Sequence, residues 1–249
     1  MKQFAIYPAL GAILAVSACT DKSKTTNQSE PDVAAEVETQ PIETTTETLT
    51  YGDKYYVADF WAGEYPTGFA VAEDGVVVQA RAQMHIDAPQ DVSCPLPRNA
   101  NYHAWNFERV EADGLRFHSV IETSLITITS DIKVETSRED VDELIELDLK
   151  TGETLTYLTY VGEGFRLVAY DGHEYFFNEG DFVDAAEFEK VDSTPEQWVQ
   201  VKCADDAGTR GWILYRDVDK EPDFVNDVIV GYGEAYDLDD VRMQNAFLP

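Results

Sequence analysis

The chain holds 249 residues, of which 48 are acidic and 18 basic, for a formal net charge of -30. That balance excludes nucleic-acid binding, because phosphate backbones demand a basic face. The acid is spread along the chain, as in a hydrated surface, and it also suits a basic partner.

The first residues have the layout of an export signal: Lys2, then an apolar stretch from Phe4 to Val16, then Ser17-Ala18. The stretch is too short to cross a bilayer as a permanent helix. Its end, Val16-Ser17-Ala18-Cys19, resembles the lipobox of bacterial lipoproteins, in which the cysteine is lipidated and becomes the first mature residue. The resemblance implies a signal peptide over 1–18, lipid on Cys19, and attachment to a membrane without a span. Thr20 rather than Asp follows Cys19, which by the same analogy favours the outer membrane, facing the periplasm.

Residues 19–50 are rich in Thr, Glu, Ser and Pro and contain no aromatic residue, so this segment cannot bury enough apolar area to offset its chain entropy. It is expected to be a disordered acidic tether. The composition changes at Tyr51. "YYVADFWAGEYP" (55–66) is dense in aromatic residues, either a buried plug or an exposed stacking platform, and alternation favours burial.

From there short strand segments come in close succession. "GFAVAEDGVVVQARA" (68–82) places Asp74-Gly75 between apolar runs and predicts a hairpin. "LRFHSVI", "SLITITS" and "LIELDL" alternate, and "ETLTYLTYV", "FRLVAY", "HEYFF", "WVQVKC" and "GWILY" continue the pattern. Helical signals are few: "SREDVDELI" (137–145) begins with a capping serine and acidic residues, and "AYDLDDVRMQNAFL" (235–248) allows a terminal helix. The fold class predicted is therefore all-β, with small barrels or sandwiches as the architecture.

Residues 147–218 resemble a bacterial SH3-like domain. The resemblance is carried by "LDLKTGETLTYLTYVGEGFRLVAYDGHEYFF" and "WVQVKCADDAGTRGWILYRD", where a Trp198-x-x-Val201 strand is followed by Gly211-Trp212-Ile213. The match departs at "NEGDFVDAAEFEKVDSTPEQ" (178–197), an enlarged acidic loop. The division expected is a β-rich unit over 51–135, a diverged relative of the same type, then a small SH3-like barrel over 136–221 and a C-terminal extension over 222–249. The resemblance implies binding rather than catalysis, with a shallow aromatic groove of Trp198, Trp212 and Tyr170 receiving a cell-wall peptide or a partner-protein segment.

With Cys19 assigned to lipid, Cys94 and Cys203 remain as a pair in an exported chain, and a disulfide is expected, two separate buried thiols being the alternative. Alternation puts Val199, Val201 and Cys203 on one strand face. A catalytic pairing of Cys94 with His103 lacks the helix-borne cysteine that such enzymes need. His85, His103, His118 and His173 are too scattered for a local metal motif, and the acidic runs at 217–223 and 237–240 lack the form of a twelve-residue calcium loop. No catalytic residue, metal or cofactor is assigned. The function expected is that of a lipid-anchored binding or scaffold protein of the envelope; the alternatives are an acidic inhibitor or adaptor of a basic envelope protein such as a lysozyme-type enzyme, and an accessory subunit of a cell-wall hydrolase.

Overall fold

The computed structural model describes residues 48–63, 68–104 and 107–228, all within one unit, Thr46–Pro249. The expected signal peptide, Cys19, the expected tether up to residue 47 and the terminal helix expected at 235–248 lie outside the described residues.

The protein is all-β, built from antiparallel pairs, with one seven-residue helix, α1 (Phe107–Asp113), among the described residues. A four-stranded sheet has the order β1 (Tyr55–Ala58), β6 (Arg116–Glu122), β14 (Glu196–Lys202), β15 (Arg210–Leu214). A seven-stranded sheet runs β13 (Ala186–Phe188), β7 (Ser124–Ile128), β10 (Thr154–Gly162), β11 (Phe165–Tyr170), β12 (His173–Asn178), β8 (Ile132–Arg138), β9 (Val141–Leu149). Two small sheets complete it: β16 (Phe224–Val228) with β2 (Gly68–Val71) and β5 (Asn101–Tyr102), and the pair β3 (Val77–Ala80) with β4 (Val92–Pro95).

The Trp198 strand pairs with the Gly211-Trp212 strand, Gln200 facing Trp212 and Val201 facing Gly211. The small barrel expected over 136–221 does not close, however, because its strands divide between two sheets. β10, β11 and β12 belong to the seven-stranded sheet, whereas β14 pairs on its other side with β6, from Glu196 opposite Val120 to Gln200 opposite Arg116. The position 135/136, expected between units, falls inside β8.

Two local expectations are corrected. Asp74-Gly75 does turn the chain, with Gly75 at φ 75°, but β2 and β3 do not pair. β2 is buried at all four positions and takes β16 and β5 as its neighbours, while β3 pairs with β4. Residues 137–145 are not helical: the chain turns at Glu139-Asp140 and continues as β9, where Val141 lies opposite Arg138 and Ile145 opposite Thr136. The period-two series Ile145, Leu147, Leu149 extends the strand and outweighs the capping signal, because it gives β9 an apolar face against the sheet core.

Strand β14 is buried on both faces, which is why it is central. Val199 and Val201 enter the main core with Phe117, Ile213, Phe69 and Tyr102. Trp198 points the other way into a smaller cluster with Val120 and Leu214, covered by Tyr51, Tyr55, Met84 and Ile86. The seven-stranded sheet has a core of its own, with Ile126, Leu149, Leu155, Val168 and Phe177 at its centre. Trp61 of the aromatic run is buried in the main core, while Tyr55, Tyr56 and Phe60 are half-buried. No helix among the described residues is long and apolar enough to cross a membrane.

Candidate functional site

The three aromatic residues expected to form one groove do not. Trp198 is fully buried; its indole N–H donates to Glu196 Oε2 at 3.0 Å, its carbonyl accepts from Trp61 Nε1 at 2.8 Å, and the Arg81 guanidinium lies 5.3 Å from its ring centre. Trp212 is half-buried beside the same cluster, 5.3 Å from the His118 ring. Tyr170 packs on the core of the seven-stranded sheet, with the other two in a different cluster. The face of β14 that an open groove would need is closed by Tyr51, Tyr55, Met84 and Ile86, which come from far upstream in the chain.

Cys94 and Cys203 are joined by a disulfide, with Cα atoms 4.9 Å apart, both buried. The inward face read from Val199-Val201-Cys203 is correct, since all three side chains enter the main core. The Cys94 sulfur is therefore not a free thiol. Among the described residues no group of three or more His, Cys, Asp or Glu side chains is placed to hold a metal.

An opening lies elsewhere among the described residues, between the four-stranded and seven-stranded sheets. It is an open cleft of about 790 Å³ lined by Ile121 and Glu122 from β6, by β10 and β11, and by the segment leading from η1 (Glu179–Phe182) to β14. The register of β10 against β11 shifts between Tyr157 and Thr159 and again between Tyr160 and Gly162. Such bulges break strict alternation, and Tyr157, Thr159 and Tyr160 all line the cleft.

The acidic segment 178–197 builds one wall. Asn178 caps η1 by accepting from the Gly180 N–H at 2.9 Å, while Asp181 accepts from the Asn178 N–H at 2.8 Å. Phe182 inserts into the sheet core, its ring centre 4.9 Å from that of Phe177. That plug anchors the start of the next segment, and β13 pairs with β7, leaving Phe188 at 40% exposure on the cleft. The strap beyond is held by two links to the Leu125 backbone: the Glu189 N–H donates to its carbonyl at 2.8 Å, and Glu189 Oε2 accepts from its N–H at 3.0 Å.

Arg166 stands at the cleft wall. Its guanidinium carbon is 4.7 Å from the Phe188 ring centre and 6.0 Å from that of Tyr157, and it is paired with Glu179. Both rings thus lie within the range at which a guanidinium is attracted to an aromatic face. Burial pushes the Tyr157 phenol above its ordinary value, with the Arg166 charge acting in the opposite direction. Tyr160 Oη accepts from the Gly164 N–H at 3.1 Å, which orients its ring. Val183, 67% exposed, adds an apolar rim. The lining therefore offers aromatic faces, hydroxyls and the paired charges of Arg166 and Glu179, which is equipment for holding a ligand that is partly apolar and partly polar.

Sequence reasoning missed this cleft. Phe182 and Phe188 stand among acids in a stretch with the composition of a loop, and the one available signal was that two phenylalanines six residues apart are costly to leave in water. A second, smaller opening of about 320 Å³ lies beside Tyr56, Phe60 and Glu174.

Comparison with known proteins returns no match: no family model, no curated protein and no solved structure matches this chain.

Proposed function

We propose that this chain is a lipid-anchored binding protein of the bacterial cell envelope, attached through Cys19 at the outer membrane and facing the periplasm. It recognises a cell-wall peptide or a partner-protein segment through the cleft between the two large sheets, without chemistry of its own. The observation that carries the reading is the aromatic wall of Tyr157, Tyr160 and Phe188 around the paired Arg166 and Glu179, exposed on a surface that is otherwise strongly acidic. An apolar and aromatic concavity with a few fixed polar groups is the usual form of a binding site. The lipobox resemblance and the Thr/Glu-rich segment behind it support the attachment and give the folded part reach.

The test is retention on purified wall sacculi, with the double change Tyr160→Ala and Phe188→Ala. Retention by the unaltered protein and a loss of about tenfold or more in the variant, equivalent to about 1.4 kcal/mol, support the reading. Failure of the unaltered protein to bind overturns wall recognition. Cys19→Ser should release the protein into the soluble envelope fraction with its fold intact.

The net charge of -30 favours a second reading, an inhibitor or adaptor of a basic envelope protein. Binding of that kind collapses at high salt, because exposed charge is screened over about 8 Å at physiological ionic strength.

A further inference from the structure

The smaller opening differs in chemistry from the larger one. Its floor is apolar, made by Tyr56 of β1, Phe60, Leu167 of β11 and Phe176 of β12. Its rim is acidic, with Glu139 and Asp140 at the β8–β9 turn and Glu174 on β12. Two basic side chains share the lining. Arg138 is committed to Asp140 by an ion pair, and His173 sits on the exposed end of β12 with its ring against Tyr175. Among the described residues no basic side chain is ion-paired with Glu139 or Glu174. Burial first, then the negative charges of Glu174 and Asp59, a hydrogen bond to Glu174 and the charge of Glu139 push the Tyr56 pKa up to about 12.

We infer that this pocket takes a primary alkylammonium group at the end of an apolar stem, the lysine side chain of a basic partner protein. A recess with an aromatic floor and a carboxylate rim in which Glu139 and Glu174 carry no ion pair is complementary to such a side chain at both ends: the methylene stem covers the rings of Tyr56, Phe60 and Phe176, and the ammonium meets Glu139 and Glu174. The volume of about 320 Å³ suits one side chain rather than a folded segment. Glu143 and Glu187, on β9 and β13, are likewise exposed and do not line this pocket. This inference is independent of what fills the larger cleft, and it rests on partner recognition only in naming a protein as the source of the lysine.

The test uses the full-length protein and two small probes, N-acetyl-lysine methylamide and its uncharged counterpart N-acetyl-norleucine methylamide, tracked through the NMR signals of Tyr56 and His173. The lysine probe should produce saturable shifts and bind at least tenfold more tightly than the norleucine probe. Glu139→Gln with Glu174→Gln should weaken it at least tenfold. The charge-matched control Glu143→Gln with Glu187→Gln should change it by less than twofold. All four carboxylates lie at the surface, so both variants should retain the thermal transition of the parent. Equal binding of the two probes, or equal losses in the two double variants, would overturn the pocket. A lysine-rich peptide and wall fragments bearing a free amine are then compared as competitors. Stronger competition by the peptide supports a protein source, and stronger or equal competition by the wall fragments overturns that assignment while leaving the larger cleft's test untouched.

Discussion

Removing the disulfide by the double change Cys94→Ala, Cys203→Ala should destabilise the protein mainly through its unfolded state. The two cysteines are 109 residues apart, and closing a loop of that length removes about 16 cal/mol/K of chain entropy, or about 4.8 kcal/mol at room temperature. In the folded state the neighbouring backbone is tied without the bridge. The Cys203 N–H donates to the Thr209 carbonyl at 2.8 Å, and the Ala204 N–H donates to the Pro95 carbonyl at 2.8 Å, so β4 keeps its place against the end of β14. The variant should therefore fold to the same structure, lose about 4 to 5 kcal/mol in urea titrations, and melt roughly 10 to 20 °C lower. Its denaturant slope should rise, because an uncrosslinked unfolded chain exposes more surface. A loss below about 1 kcal/mol would refute the argument. So would free thiols at Cys94 and Cys203, mapped by alkylation and mass spectrometry without reductant.

Two further outcomes rest on close approach and on charge. A Cβ added at Gly211 would lie 2.6 Å from the Ala80 Cβ, where Arg81 and Trp212 exchange backbone hydrogen bonds of 2.9 and 2.8 Å, so Gly211→Ala should cost about 1–3 kcal/mol. Faster hydrogen exchange at Arg81 and Trp212 would locate that damage at the junction of β3 and β15, and unchanged exchange there would count against it. Tyr56 is raised to about 12 in the folded protein, so below pH 10 its phenol is protonated in both states. Above pH 10 the unfolded chain releases the proton and the folded one holds it, so stability should fall between pH 10 and 12, and less steeply in Tyr56→Phe. Denaturation curves measured across that range decide it, and identical slopes in the two proteins would contradict it.

Much of the secondary structure was legible in the sequence, because a strand with one buried face prints its period on the chain. "WVQVKC" gave the inward face of β14, the Gly211-Trp212 segment read as a strand after it is one and pairs with it, and the even pair of cysteines in the folded part is bridged. The errors lie where a local signal had to choose a distant partner. Asp74-Gly75 makes a turn whichever strands it joins, and only the buried slot between β16 and β5 decides that β2 leaves β3. Ser137 and the acids after it would suit a helix start, and only a continuing apolar face makes β9 a strand.

Composition and order of residues by themselves determined the acidic surface, the lipobox resemblance, the all-β class and the cysteine pair, each of which depends on charge counts or on neighbours within a few positions. Which aromatic residues face water was decided only by tertiary structure. Trp198 is sealed by Tyr51, Tyr55, Met84 and Ile86, whereas Phe188, in a stretch that reads as acidic loop, is left on a cleft because Phe182 takes the buried place beside Phe177. Burial is a property of what packs on a side chain, and in these two cases the covering residues come from segments whose positions no local pattern encodes.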